Sequence, residues 1–278
     1  MAKRRLDSLL AERGLFSSRA RAAASIMAGD VLLGAGERRA SKPGELVEED
    51  ERMRVRERPA FVSRGGEKLA NALDSSGLDV RGRRALDVGA STGGFSDCLL
   101  QRGVESVTAV DVGYGLLAWR LREDARVQVL ERTNVRALEP AMLPCAPDLA
   151  VVDVSFISLS KVLAAVLACM APRYDVLALV KPQFEVGRGR VGKGGVVRDA
   201  ADRRAALVAV GEAALELRAA VVSYHSSGLP GPKGNRESFI WLSNPAHASE
   251  RAVRASSPGA GDPAAAAELE RLAREVEP

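Results

Sequence analysis

The stretch LDVGASTGGF, residues 86–95, predicts a β-strand, a turn of small residues and the start of a helix. Its glycines allow the backbone to approach a ligand closely, and the helix N-terminus offers free N–H groups. The spacing G-x-x-x-G-G differs from the G-x-G-x-x-G of dinucleotide-binding loops and lacks the Lys-Ser/Thr of a P-loop. The stretch therefore indicates a nucleotide-type loop of another kind. The alternative is a tight turn that binds no ligand.

Two carboxylates limit which class of ligand this loop could bind. Asp87 lies directly before the loop, where it would repel a pyrophosphate and attract an ammonium group. Asp111 ends the next strand, about 20 residues on, where such folds place a carboxylate for ribose hydroxyls. A ligand with a nucleoside at one end and an amino acid at the other fits both, and S-adenosylmethionine is such a ligand. The expected cofactor contacts are Asp87, Gly89, Ala90, Ser91, Gly93, Phe95 and Asp111, with Asn134 at the adenine edge or simply in a turn.

Outward from the loop, strand and helix patterns alternate along the chain, as in a doubly wound, mostly parallel sheet. The predicted strands include RRALDVG, VESVTAVDVG, PDLAVVDVSF, YDVLALVKP, AAVVSYH and ESFIWLS. The sequence predicts an α/β protein with a Rossmann-like sheet and a small N-terminal α+β domain. We expect an RNA-binding domain over 1–58, a linker over 59–64 and the main domain over 65–245. The tail over 246–278 lacks an apolar face, and we expect it to be flexible, either disordered or a loosely held helix.

Charged side chains stand at the ends of several predicted strands. Lys181 ends the apolar run LALV, and Asp153 ends the preceding strand. Glu237 begins the last strand, and an antiparallel orientation would bring it to the same edge of the sheet. Lys68 lies on the helix before the nucleotide-type loop. Since ligands bind at the carboxyl ends of such strands, Lys181 is either a working residue or a lysine that extends to solvent.

Composition excludes several classes of protein. The 278 residues are 46% hydrophobic and 27% charged, and only 4% are aromatic. The apolar run VLAAVLACMA, residues 162–171, is about half of the ~20 residues that span a bilayer. Asp7 and Glu12 interrupt the start of the chain where a signal peptide would be apolar. Three scattered cysteines and two histidines make no metal site. We expect a cytoplasmic protein with no metal and no membrane partner.

Positive charge is concentrated in the first segment. Residues 1–64 hold 14 basic and 10 acidic side chains, whereas residues 65–278 hold 26 of each. Two short helices and two β segments with this charge suggest a module that faces a polyanion. A glycine-rich basic loop, EVGRGRVGKGGVVRD, either closes over RNA or is a solvated loop. The expected RNA contacts are Arg4, Arg19 and Arg21 on the first helices and Arg64, Arg188, Arg190 and Lys193 around the site.

Four motifs together, VSRGGEKL, DVGASTGGF, VDVSFISL and KPQFE, closely resemble the TlyA family of rRNA 2′-O-methyltransferases, also labelled hemolysins. The ordered set Lys68, Asp153, Lys181 and Glu237 resembles the K-D-K-E tetrad of FtsJ-type ribose methyltransferases. The first segment resembles an RNA-binding module of a small-subunit ribosomal protein and of pseudouridine synthases. The match covers residues 3 to 245. An aromatic residue common in the family's linker corresponds here to Phe61, close to Pro59.

The resemblance implies methylation of cytidine 2′-hydroxyls in ribosomal RNA, on both subunits or on the large subunit alone. It implies S-adenosylmethionine as the cofactor and ribosomal subunits as partners of what we expect to be a monomer. Lys181 would activate the hydroxyl, while Asp153 and Glu237 would hold the two lysines; which lysine is neutral stays open. The alternatives are a non-catalytic ribosome-assembly factor, a membrane-active hemolysin and a nicotinamide-dependent oxidoreductase.

Overall fold

A computed structural model of the chain describes residues 3–56, 59–250 and 263–278, in two compact units, Met1–Pro59 and Ala60–Pro278. The described residues of the first unit form two helices and five short strands. The sequence predicts helices within RRLDSLLAERG and SSRARAAASIMAGD and strands within VLL (31–33) and RMRVRE (52–57), and each of these elements lies there. The other three strands of the unit are not predicted. Its elements are β1 (Lys3–Arg5), α1 (Leu6–Glu12), α2 (Arg19–Met27), β2 (Val31–Leu33), β3 (Arg38–Arg39), β4 (Leu46–Glu48) and β5 (Met53–Val55).

Two small antiparallel sheets and one apolar cluster build the first unit. β1 pairs with β4, and β2 lies between β3 and β5. The buried leucines of α1, together with Ala22 and Ile26 of α2, pack on β2 and on Val47. The unit therefore folds around its own small core.

The second unit alternates strands and helices. Its elements are α3 (Arg64–Ser76), β6 (Arg84–Val88), α4 (Gly94–Gln101), β7 (Ser106–Val110), α5 (Trp119–Arg122), β8 (Val127–Leu130), β9 (Leu149–Val152), α6 (Leu163–Ala168), β10 (Asp175–Val180), α7 (Pro182–Glu185), α8 (Ala200–Glu216), β11 (Ala220–Ser226), β12 (Ser238–Ser243), α9 (Pro245–Glu250) and α10 (Pro263–Val276). Short 3-10 turns cover residues 135–137, 140–142, 159–161 and 188–190.

Seven strands form one sheet in the order β11-β12-β10-β9-β6-β7-β8. The central strands run parallel, and β12 runs antiparallel to both β10 and β11. This confirms the expected doubly wound sheet and the antiparallel last strand. The chain proceeds from β6 outward to β8 and then returns to β9, so the strand order reverses between β6 and β9. Ligands bind at such a reversal in open α/β sheets.

Both faces of the sheet are buried. Alternate residues of the strands, such as Leu86 and Val176, pack with α6, α8 and α10 on one face. Their neighbours, such as Ala85 and Leu177, pack with α3 and α4 on the other face. Strands covered on both sides read as continuous apolar runs, which is why LAVV and VLALV were recognisable in the sequence.

The segment 263–278 differs from the flexible tail that the sequence analysis predicts for 246–278. α10 buries Leu269, Leu272 and Ala273 against α8 and β11. Near its end, Arg203 Nε of α8 donates to Glu277 Oε2 at 2.9 Å, a buried ion pair. Ala265, Leu269, Leu272 and Ala273 recur at helical spacing and form an apolar face, so the prediction of a tail without such a face is wrong for this segment. Residues 251–262 of that predicted tail lie outside the described residues.

In the described part of the chain, no helix combines the length and the apolar character needed to span a membrane.

Candidate active site

The nucleotide-type loop leaves the carboxyl end of β6 at the reversal of strand order. Gly89 has φ 82°, and its N–H donates to Val110 O of β7 at 2.8 Å. A Cβ atom on Gly89 would lie 2.3 Å from the carbonyl oxygen of Asp153, which follows β9. Only glycine therefore lets the loop and the end of β9 come this close.

Three cavities lie around Asp153, which lines all of them, and two of the three also border this loop. The loop cavity, about 410 Å³, is lined by residues of the β6, β7 and β9 ends, including Gly89, Ser91, Asp111 and Asn134. The helix cavity, about 370 Å³, lies between the loop and α3 and includes Arg64, Ala90, Ser91 and Phe95. The lysine cavity, about 430 Å³, is lined by Lys68, Asp153, Lys181, Glu237 and loop residues.

Polar groups at the loop cavity are held by the backbone. Asp111 Oδ2 accepts from Ser91 N at 2.8 Å, and its Oδ1 accepts from Gly113 N at 2.6 Å. These bonds tie the end of β7 to the loop. Asn134 is exposed, and its Oδ1 accepts from Arg136 N at 3.0 Å, which caps a 3-10 turn. Asp111 and Asn134 thus share one cavity, as the sequence predicts.

Two expected cofactor contacts, Gly93 and Asp87, line none of these cavities. Gly93 begins α4 with φ 93°, and a Cβ there would lie 2.3 Å from Leu121 and 2.7 Å from Leu117. The glycine is required by packing against that segment. The prediction of a ligand contact at Gly93 is not supported by its position.

Asp87 is fully buried beneath the loop. Its Oδ2 accepts from the N–H and the hydroxyl of Ser96 at 2.9 and 2.6 Å, while Oδ1 is buried without a hydrogen-bond partner among the described residues. Burial raises the pKa of Asp87 to about 7; the Ser96 bonds oppose this, and the charges of Asp153 and Asp111 add to it. Asp87 therefore holds the start of α4 through Ser96 from a buried position behind the loop. This position differs from the direct ligand contact that the sequence predicts.

Lys181 and Asp153 meet at the ends of adjacent parallel strands. Lys181 Nζ lies 2.5 Å from Asp153 Oδ1 and donates to Ser155 Oγ at 2.8 Å. Both side chains are largely shielded from solvent, with exposed fractions of 11% and 26%. Lys181 lines the lysine cavity, and its partner Asp153 also borders the loop cavity and the helix cavity.

Lys68 and Glu237 form the second pair of the lysine cavity. Lys68 Nζ of α3 donates to Glu237 Oε2 at 2.5 Å, and only 7% and 2% of the two residues are exposed. A Cβ on Gly231 would lie 2.3 Å from Glu237 Oε1, so the adjoining loop packs directly on the carboxylate. The structure thus brings the four residues predicted as catalytic to one cavity and gives each lysine its own carboxylate.

Residues 61–244 match the model of the FtsJ-like methyltransferase family. The chain belongs to this family. It is 50% identical, over 87% of this chain and 91% of the relative, to the 16S/23S rRNA (cytidine-2′-O)-methyltransferase TlyA of Mycobacterium tuberculosis. It is 37% identical, over 84% and 97%, to Hemolysin A of Brachyspira hyodysenteriae. A solved structure of a candidate hemolysin from Streptococcus thermophilus superposes with TM-score 0.68 at 37% identity, over 99% of this chain and 97% of that one.

The FtsJ-like domain carries four of the residues expected to contact RNA. Arg64 Nη2 donates to Pro230 O at 2.8 Å and lines the helix cavity. Arg190 Nη1 lies 3.6 Å from Asp202 Oδ1, and Lys193 is exposed. Arg188 begins a 3-10 turn, and its side chain lies outside the described part of the structure. Arg64 and the exposed Lys193 have the placement that an RNA contact requires.

The first unit holds the other three expected RNA contacts. Arg4 pairs with Glu12 at 2.7 Å and with Glu49 at 3.4 Å. Arg19 Nε donates to Asp7 Oδ2 at 2.9 Å. Arg21 is exposed and forms no side-chain ion pair within the described residues. Arg4 and Arg19 thus have structural partners, and Arg21 is the freest of the three.

Six further polar or aromatic residues line the lysine cavity of this FtsJ-like domain but were not singled out from the sequence: Ser155, Phe156, Gln183, Phe184, Lys233 and Asn235. Phe156 is 92% exposed with φ 65°, and its ring lies 5.3 Å from that of Phe184. An exposed aromatic residue in the left-handed region is unusual and often functional. The signal in the sequence was that four of these residues lie within the motifs VDVSFISL and KPQFE, and the other two within the loop GPKGN, residues 231–235.

Proposed function

We propose that this FtsJ-like methyltransferase transfers a methyl group from S-adenosylmethionine to the 2′-hydroxyl of a cytidine in ribosomal RNA. The observation that carries the proposal is Asp153, which pairs with Lys181 and lines the loop, helix and lysine cavities together. A donor site and a hydroxyl-activating group would thus share one border. The half-identical relative from Mycobacterium tuberculosis, named for this reaction, supports it.

The residues present fit S-adenosylmethionine. Asp111 and Asn134 border the loop cavity with apolar neighbours suited to a nucleoside, and Ser63, Arg64 and Thr92 border the helix cavity, suited to an amino-acid end. Asp111 and Asp153 border the loop cavity with two carboxylates, and Asp87, which its raised pKa leaves only partly ionised near pH 7, lies buried behind the loop. These groups favour a cationic ligand. When bound, the cofactor supplies a methyl group on a positively charged sulfur.

The protein's own residues must orient the ribose hydroxyl and take its proton, because a 2′-hydroxyl is a weak acid and a poor nucleophile. We assign the proton to Lys181 Nζ, which Asp153 and Ser155 hold in place. With both lysines protonated, the two pairs carry no net charge. A neutral Lys181 leaves the cluster with one negative charge, which a cationic methyl donor in the adjoining cavity would offset.

The mouth of the lysine cavity suits RNA. Phe156 presents an exposed ring, and Lys233 and Lys193 are exposed cations on the loops around it. A ring can stack on a base, and ammonium groups contact phosphates. The target nucleotide would enter with its ribose toward Lys181.

The proposal is tested by methyl transfer from tritiated S-adenosylmethionine to separate ribosomal subunits that lack the modification. We expect label in RNA as 2′-O-methylcytidine with the wild-type chain and none with Lys181→Ala. If neither subunit is labelled although the cofactor still binds, the proposed substrate is wrong.

A further inference from the structure

Almost all polar side chains of the lysine cavity are paired within the protein. Lys68 binds Glu237, and Lys181 binds Asp153 and Ser155. Asn235 is also fully engaged: its Oδ1 accepts from Val197 N at 2.9 Å, and its Nδ2 donates to Gly195 O at 2.8 Å. These groups are held in place before any substrate enters.

Gln183 is the exception among the buried polar groups of this cavity. It lines the cavity and is only partly exposed, and its Oε1 is buried without a hydrogen-bond partner in the described part of the chain. A buried acceptor without a partner is costly, and native structures that keep one have a reason for it. A partner that arrives with the substrate is one such reason.

The position of Gln183 relates it to the target nucleotide. It lies on α7, two residues after Lys181, so its backbone is fixed to that of the hydroxyl-activating residue. The next residue, Phe184, lines the same cavity, and its ring is 5.3 Å from that of Phe156. A nucleotide whose ribose lies at Lys181 has its base within the same cavity, among these rings and the Gln183 carboxamide.

We propose that the Gln183 carboxamide recognises the base of the target nucleotide and selects cytosine. This inference rests on the proposed function. A carboxamide offers an acceptor and a donor side by side, and cytosine offers the complement, a donor amine at C4 beside an acceptor at N3. Uracil presents these groups in the reverse order. Discrimination between the two bases requires the carboxamide to keep one orientation while the base is bound, and the paired hydrogen bonds to cytosine would hold it in that orientation.

The test is a double-mutant cycle in which residue 183 of the protein and the target base of the RNA are changed separately and together. The cytidine that the wild-type chain labels is mapped first, and subunits are then prepared with uridine at that position. Single-turnover rates of methyl transfer are measured on both substrates for wild type, Gln183→Ala and Gln183→Leu. Leucine keeps most of the side-chain volume without the amide, so Gln183→Leu separates the loss of the amide from a loss of packing. Gln128→Ala, at an exposed glutamine of β8, is the matched control.

We expect both Gln183 variants to slow transfer to cytidine about 10- to 100-fold and to bring the cytidine-to-uridine rate ratio toward one, with cofactor binding unchanged. Gln128→Ala should leave the rates and the ratio as in wild type. Equal losses on both bases, or no loss, would overturn a base-reading role for Gln183. Wild type that labels neither substrate would instead overturn the proposed function.

Discussion

Lys181 Nζ lies 2.5 Å from Asp153 Oδ1, although the two residues are 28 positions apart in the chain. The contact exists because β9 and β10 are adjacent parallel strands, so that their carboxyl ends deliver both side chains to one edge of the sheet. The same edge carries the glycine loop of β6. The relationship therefore holds the proposed base, Lys181, beside the carboxylate that borders the proposed donor site.

Replacing Lys181 should separate chemistry from binding. We expect Lys181→Ala to bind S-adenosylmethionine as wild type does and to lose methyl transfer by about 100- to 10,000-fold, the range for a lost general base. Calorimetric titration of the cofactor and tritium transfer measure the two properties. Lys161→Ala, at an exposed lysine of a 3-10 turn, is the control and should retain activity. Joint loss of binding and transfer would mean that Lys181 is structural.

The Lys68–Glu237 pair should matter for stability as well as activity. Glu237→Gln leaves a buried ammonium group without its counter-charge, and breaking such a pair costs about 3–5 kcal/mol. We expect the free energy of unfolding of the second unit, measured with denaturant, to fall by about this amount. The double variant Lys68→Met/Glu237→Gln should recover part of the loss, because it removes the uncompensated charge. If the losses measured for Glu237→Gln and for Lys68→Met alone simply add in the double variant, the two residues are not coupled.

Gly89 should tolerate no side chain. In Gly89→Ala the new Cβ would lie 2.3 Å from a backbone oxygen at φ 82°, so we expect weakened cofactor binding and a lower melting temperature. Gly77→Ala is the matched control: it has φ 66° with open space around the Cβ position and lies at the end of α3. It should cost only the backbone strain, about 1–2 kcal/mol. Similar losses in both variants would show that strain, and not the contact with Asp153, dominates.

Much of this fold was readable because the sheet is buried on both faces. LAVV and VLALV are continuous apolar runs with helical patterns between them. β8 was missed because VQVL is four residues long and exposes Gln128 at the edge of the sheet. The apolar face of α10 was missed although Ala265, Leu269, Leu272 and Ala273 recur at helical spacing, because the surrounding tail is rich in Ala, Glu, Ser and Pro. In both cases the burial that defines the element comes from distant neighbours.

The site divides in a similar way. The convergence of Lys68, Asp153, Lys181 and Glu237 followed from strand ends and one antiparallel strand. The burial of Asp87 could not be predicted, because it depends on how Ser96 of α4 folds back on β6. The left-handed backbone of Phe156 and the unpaired oxygen of Gln183 depend on packing among several loops. Sequence motifs located these loops without indicating the roles of their residues.

Asp87 should make stability depend on pH. Burial raises its pKa from 3.8 to about 7, so the folded state holds the proton more tightly than the unfolded chain. The stabilisation is full below the unfolded pKa and is lost as pH rises from about 4 to 7. We therefore expect the melting temperature of wild type relative to Asp87→Asn to fall between pH 5 and pH 8. Asp79→Asn is the control: Asp79 is exposed and its hydrogen bond with Arg81 lowers its pKa to about 2, so its difference should stay constant. A constant difference for Asp87 would contradict its raised pKa.

Arg21 should contribute more to RNA binding than Arg19, although both lie on α2. Arg19 donates to Asp7, which is only 3% exposed and whose pKa is held well below its usual range, chiefly by the hydrogen bond from Arg5 and also by Arg19. Arg21 has no such partner in the described structure, so its charge is available to a phosphate. We expect Arg21→Ala to weaken binding to ribosomal subunits and to reduce the slope of log affinity against log salt by about 1.

Arg19→Ala should behave differently, because it removes one of the two guanidinium groups that neutralise Asp7. Its main effect should be a lower melting temperature of the first unit, with a smaller change in the salt slope. Affinities at several salt concentrations, with a thermal melt of each variant, separate the two effects. If Arg19→Ala reduced the salt slope as much as Arg21→Ala while keeping its melting temperature, the Asp7 pair would not govern the role of Arg19. Arg19 would then bind phosphate directly.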